Sequence, residues 1–115
     1  MEPVNIMVVE DEFIIAADIR DRVENLGYHV SVLTDSGEDA LKRIETTAPD
    51  LVLMDIVLQG EMDGIDTSLA IRKNTDIPIV FLTAYGSESI IERAKISEPF
   101  GYTLQLHKLN TLIKG

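Results

Sequence analysis

A three-layer, doubly wound α/β fold is predicted for this chain, with a five-stranded parallel sheet in the order 2-1-3-4-5. Three observations predict it. Short, continuous apolar runs occur at Ile6 to Val9, Leu51 to Met54 and Ile79 to Leu82, each introduced by a proline, at Pro3, Pro49 and Pro78. Runs of this length belong to strands buried on both faces, as in the centre of a parallel sheet. Two weaker segments, His29 to Leu33 and Tyr102 to Leu106, alternate apolar with polar residues and predict half-exposed edge strands. Helical patterns lie between the runs, so the element order alternates strand and helix, as it does when right-handed crossovers join parallel strands.

Each helix has its own signal. Ile15, Ile19, Val23 and Leu26 recur every three or four residues and stop at Gly27, a C-terminal signal. Ser36 with Asp39 three residues on predicts a capping box ahead of Ala40, Leu41 and Ile44. Asp63 predicts a cap for a helix carrying Ile65, Leu69 and Ala70, and Ser87 one for Ile90, Ile91 and Ala94. After Leu106 only Lys108 to Gly115 is left for a fifth helix, two turns at most, with Leu109, Leu112 and Ile113 as its apolar stripe. The fifth helix is therefore expected to be shortened or missing. Central first, third and fourth strands with edge-like second and fifth strands fit the flavodoxin-like arrangement.

Composition narrows the function. A chain of 115 residues with 45% hydrophobic residues has material for one core, and one domain over 1–115 is expected. Ten basic against twenty acidic residues leave a formal charge of −10, which repels phosphate backbones and anionic lipid heads. Direct nucleic-acid and membrane partners are not expected. No cysteine is present, and no signal-like or membrane-length apolar segment occurs, so a cytoplasmic location is the expectation.

In such a sheet, ligands bind outside the carboxyl ends of the strands, near the switch point between the first and third strands. The sequence places Glu10, Asp11 and Glu12 after the first strand, Asp55 after the third, and Thr83 at the end of the fourth. Carboxylates converging on one small site repel each other, so their pKa values rise or a cation joins them. Oxygen ligands without His or Cys favour a hard ion, Mg²⁺ above all. A carboxylate beside a metal and a phosphate can act as the nucleophile and form an acyl phosphate. Alone, such acids are also what a solvated loop and a helix N-terminus carry. Gly60 and Gly64 are read as backbone turns, since no phosphate-cradling glycine motif is present.

Three stretches in this order, VVEDE at 8–12, LVLMDIVLQGEMDGID at 51–66 and FLTAY at 81–85, resemble the receiver domains of two-component response regulators, the single-domain chemotaxis regulators among them. The match runs from about Asn5 to Tyr102. The resemblance implies that Asp55 is the phosphoacceptor for a phosphohistidine on a sensor histidine kinase or phosphotransfer protein. It implies that Asp11 and Asp55 contact Mg²⁺ directly, Glu10 holds it through water, and the backbone carbonyl of Val57 completes the protein ligands. It also implies that Thr83 is the switch hydroxyl, that Tyr102 is the switch aromatic, and that a downstream protein target reads the switch. Any catalysis would be confined to the domain's own phosphorylation and dephosphorylation.

Two positions depart from the family pattern. Glu10 stands where Asp is usual. At the end of the fifth strand Gln105 stands in the Lys position and Leu106 in the Pro position, so an amide replaces the cation that would pair with a phosphoryl oxygen. With a short tail, apolar surface beside the first helix and fifth strand would be bare, an expected place for self-association. The chain thus reads as a receiver that is divergent or truncated at its C-terminus. A pseudo-receiver working only through protein contacts is the alternative. A Mg²⁺-dependent phosphohydrolase with an aspartyl nucleophile ranks third, because it would want a D-x-D after the first strand and a cap.

Overall fold

The computed structural model describes residues 4–58 and 60–82, together with the backbone of Thr83 and of 101–105. Five strands, β1 (Asn5–Val9), β2 (His29–Thr34), β3 (Leu51–Asp55), β4 (Ile79–Thr83) and β5 (Gly101–Gln105), alternate with helices α1 (Phe13–Asn25), α2 (Gly37–Thr47) and α3 (Gly64–Asn74) through β4. All pairings are parallel and the sheet order is β2-β1-β3-β4-β5, the predicted topology. The predicted helices after Ser87 and after Leu106 lie outside the described residues.

The continuous apolar runs follow from burial on both faces. Alternate residues of the three central strands serve different layers. Met7, Val9, Val52, Met54, Ile79 and Phe81 pack on the α2 and α3 side. Ile6, Val8, Leu53, Val80 and Leu82 pack with Ile19 and Val23 of α1 on the other. With a two-residue side-chain period, a strand covered on both sides has no polar face to alternate with. Edge strand β2 keeps the alternation, with exposed His29 and Ser31 and buried Val32 and Thr34. Its pairing with β1 shifts register between Ile6 and Met7, so that Val32 and not Ser31 faces the core.

The caps refine the predictions. Helix α1 closes with a Schellman pattern, Gly27 N–H to Glu24 O at 3.0 Å and Tyr28 N–H to Val23 O at 3.3 Å. Ser36 accepts from Asp39 N–H at 3.1 Å, but the Asp39 carboxylate does not complete the predicted box; it accepts from the Thr34 hydroxyl at 2.5 Å. Asp63 and Asp66 form a full capping box at the start of α3. The core stripe of α3 also differs from the expected one: Ile65, Ser68 and Ile71 are buried, whereas Leu69 is 44% exposed. Ser68 tolerates that burial because its hydroxyl donates to Ile65 O at 2.9 Å.

Helix α2 ends on a left-handed residue that is not glycine: Ala48 has φ 41 and is exposed. A Cβ in that region costs roughly 1–2 kcal/mol, and glycine gives back part of the gain through unfolded-chain entropy. Ala48→Gly is therefore expected to stabilise the protein by about 0.5–1 kcal/mol. Urea denaturation checks this, and an unchanged or lowered midpoint contradicts it.

Candidate functional site

The site forms where β1 and β3 end side by side. Val9 pairs with Met54, so the next residues of the two strands, Glu10 and Asp55, emerge together at the carboxyl edge. The chain leaves β1 tied down: Glu10 N–H donates to Thr34 O at 2.9 Å, and the Glu10 carboxylate accepts from Glu12 N–H at 3.0 Å. Glu12 is the N-cap residue of α1 and makes no side-chain cap bond. Asp55 accepts from Val57 N–H at 3.2 Å, which turns the chain immediately after the strand.

Glu10, Asp11 and Asp55 each offer a carboxylate oxygen to one point, all within 4.8 Å of one another. Glu10 is only 6% exposed, and an acid is almost never so buried unless it is paired. Burial pushes its carboxyl from the ordinary 4.5 up to about 8, with hydrogen bonds that its protonated form donates to Asp11 and Asp55, and the Asp55 charge, adding to the rise. The Glu12 N–H opposes it. Burial also raises Asp55, helped by the charges of Asp11 and Glu12. The hydrogen bond between Glu10 and Asp55 ties their titrations together, so the pair holds on to a proton that isolated carboxylates would release. An electrostatic field that forces a proton onto a buried Glu is one that a divalent cation relieves. The donor set, three carboxylates and no His or Cys, fits a hard oxygen-seeking ion. A cavity of about 390 Å³ opens beside Glu10 and Asp11 on the β2 side, lined also by Leu33, Thr34, Asp35 and Asp39 and not by Asp55.

Of the remaining expected residues, Thr83 and Gln105 stand on the same edge at backbone level. Asp55 pairs with Leu82, so Thr83 is one step beyond, and Thr83 in turn pairs with Gln105. Tyr102 pairs with Val80, three residues back from the edge. The side chains of Thr83, Tyr102 and Gln105, and with them the expected switch, lie outside the described residues. Val57 is 58% exposed at the rim, directly after Asp55 and Ile56.

One constraint on the site escaped the sequence reading. Gly64, read there as a turn, has no left-handed φ; it is a point of close approach. A Cβ at Gly64 would overlap the Asp55 carbonyl oxygen and stand 2.8 Å from its carbonyl carbon and 2.9 Å from Ile56 Cα. Helix α3 begins against the backbone of the site, held there by Gly64 N–H to Ile56 O at 2.9 Å. Among the described residues no helix is long and apolar enough to cross a membrane.

Comparison with known proteins agrees with this architecture. The sequence profile described as "Response regulator receiver domain" matches residues 6–113. The chain is 31% identical over 111 residues to the transcriptional regulatory protein PdtaR of Mycobacterium tuberculosis, covering 96% of this chain and 54% of PdtaR. It thus spans about half the length of that relative. Among solved structures it is similar to the signal receiver domain of a modulated diguanylate cyclase from Desulfovibrio desulfuricans, with TM-score 0.85 and 32% identity over 98% of this chain and 92% of that one. It is also similar to the N-terminal domain of a response regulator/sensory box/GGDEF three-domain protein from Carboxydothermus hydrogenoformans, with TM-score 0.80 and 33% identity over 96% and 90% of the two chains. With a parallel sheet that gathers its acids at the ends of β1 and β3, and a profile match over nearly its whole length, the chain belongs to the response regulator receiver domains.

Proposed function

We propose that residues 1–115 act as one phosphoaccepting receiver module of a two-component system. The observation that carries this reading is the convergence of Glu10, Asp11 and Asp55 within 4.8 Å at the sheet edge, with Asp55 at the end of a central strand. Asp55 is the nucleophile: a carboxylate oxygen attacks the phosphorus of a phosphohistidine on a sensor kinase or phosphotransfer protein. The P–O bond to Asp55 forms as the P–N bond breaks, and the imidazole leaves. Asp11, Asp55 and the Val57 carbonyl, with Glu10 through water, would hold Mg²⁺, which when bound would neutralise charge on the phosphoryl oxygens.

Asp55 is oriented for this by the Val57 N–H, which occupies one carboxylate oxygen. Thr83 provides the hydroxyl that meets the transferred group, and Tyr102 the aromatic that follows it, so that a downstream protein target reads the phosphorylated state. The reading goes with a cytoplasmic location and with no direct nucleic-acid or membrane contact by these residues. Self-association through the flank beside β5 belongs to the same proposal.

A second reading, the pseudo-receiver, is favoured by one observation: Gln105 is the β5 partner of Thr83, where an amide offers a hydrogen bond and no charge. Incubation with Mg²⁺ and acetyl phosphate, followed by intact mass measurement, separates the two. A phosphoryl adduct on wild type, absent from Asp55→Asn, is expected. No adduct on either favours the pseudo-receiver.

A further inference from the structure

The loop from Asp55 to α3 carries Val57, and its shape decides where the Val57 carbonyl points. Its inner attachments are local: Val57 N–H to Asp55 and Gly64 N–H to Ile56 O, with Leu58 buried between them. Its outer half has a different anchor, from another element. The Glu38 carboxylate, on the first turn of α2, accepts from Met62 N–H at 3.0 Å across 24 residues of sequence. The same carboxylate lies against Gly60, whose φ of +105 turns the chain over it; a Cβ there would meet the Glu38 oxygens at 3.4 and 3.7 Å. A buried or half-buried backbone N–H demands a partner. Here it takes one from α2.

The neighbouring residue extends this connection to the other half of the site. Asp39 accepts from the Thr34 hydroxyl, and Thr34 O accepts from Glu10 N–H. Consecutive residues of one helical turn therefore hold the chain behind Glu10 and the chain beyond Val57. Helix α2 itself is fixed to the sheet by buried Ala40 and Ile44. A rigid element that orients ligand-bearing segments from behind changes metal affinity when it is lost, typically by roughly 10- to 100-fold.

We infer that Glu38 is a positioning residue, which holds the loop from Asp55 to α3 in the shape that lets the acidic site take up a divalent cation. The inference rests on the metal reading of Glu10, Asp11 and Asp55. Glu38 itself touches no reacting group.

Three substitutions separate loop holding from a mere helix-start charge. Glu38→Gln keeps the acceptor and the reach but loses the charge. Glu38→Asp keeps the charge at the start of α2, where it favours the helix dipole, and loses the reach. Glu38→Ala loses both. Titration of each folded variant with Mg²⁺ by calorimetry, with amide exchange at Met62 as the second readout, is the test. Expected is a roughly tenfold weaker Mg²⁺ affinity for the Ala and Asp variants, with faster exchange at Met62, and near wild-type behaviour for Gln. Equal Mg²⁺ affinity in wild type and Glu38→Ala overturns the positioning role alone. So does an Asp variant that matches wild type while Gln fails. A wild-type chain that takes up no Mg²⁺ overturns the metal reading as well, and is recognised by failing before any variant is compared.

Discussion

Gly64→Ala is expected to lower stability by about 3 kcal/mol and to weaken the acidic site together with the fold. The added Cβ has no empty direction. Its neighbours are backbone atoms of Asp55 and Ile56, not the far end of a flexible side chain. Helix α3 cannot simply back away, because its first amide is bonded to Ile56 O and Ile65 and Ile71 are buried in the core. Either the helix moves, opening space beside β3, or the backbone of Asp55 moves and carries the carboxylate off its point of convergence with Glu10 and Asp11. Gly27→Ala is the matched control. At φ +96 it pays the backbone penalty of roughly 1–2 kcal/mol but meets nothing within 4 Å. Thermal or urea denaturation of the two variants beside wild type reads the difference. If Gly64→Ala costs no more than Gly27→Ala, the close approach is not a constraint.

Glu10→Gln is expected to act in opposite directions on stability and on metal uptake. Glu10 titrates at about 8 in the fold against an ordinary 4.5, and Asp55 is raised as well. Between those pH values the folded chain holds a proton that the unfolded chain has released. The Glu10 contribution is therefore fully present below about 4.5 and is lost as pH rises through about 8. One such proton sets a slope of about 1.4 kcal/mol per pH unit. Without metal, wild type should lose stability steadily from pH 5 to 8. Glu10→Gln should lose less, and exceed wild type at pH 8 by on the order of 2 kcal/mol. Mg²⁺ is expected to reverse the ranking, since its binding would need the ionised acids and displace the proton. Saturating Mg²⁺ should stabilise wild type more at pH 8 than at pH 5, and stabilise Glu10→Gln little at either. Parallel pH profiles for the two chains without metal would show that burial of Glu10 carries no such penalty.

The core and the site edge were legible in the sequence for one reason: both depend on local period. Ile6 to Val9, Leu51 to Met54 and Ile79 to Leu82 are continuous because their strands are covered twice. The acids at 10, 11 and 55 stand out because they interrupt such runs at the strand ends. Strand order could be read from the same runs, since only the two alternating segments could be edges. The helix faces were less legible. Ile15 packs against the core as its spacing predicted, but Leu69 looked like a core position and is exposed while Ser68 and Ile71 are buried, because helix rotation is set by what the opposing sheet can accommodate.

By itself, then, the sequence determined a parallel α/β sheet with three acids at one edge, and the resemblance it carries to the receivers. Tertiary structure alone decided that Gly64 is a contact with Asp55 and not a turn, that Asp39 serves Thr34 in place of a capping box, and that Glu38 reaches Met62. The physical reason is range. Period and cap signals act over three or four residues, whereas each of those contacts depends on the distance and rotation between packed layers, which no single segment encodes.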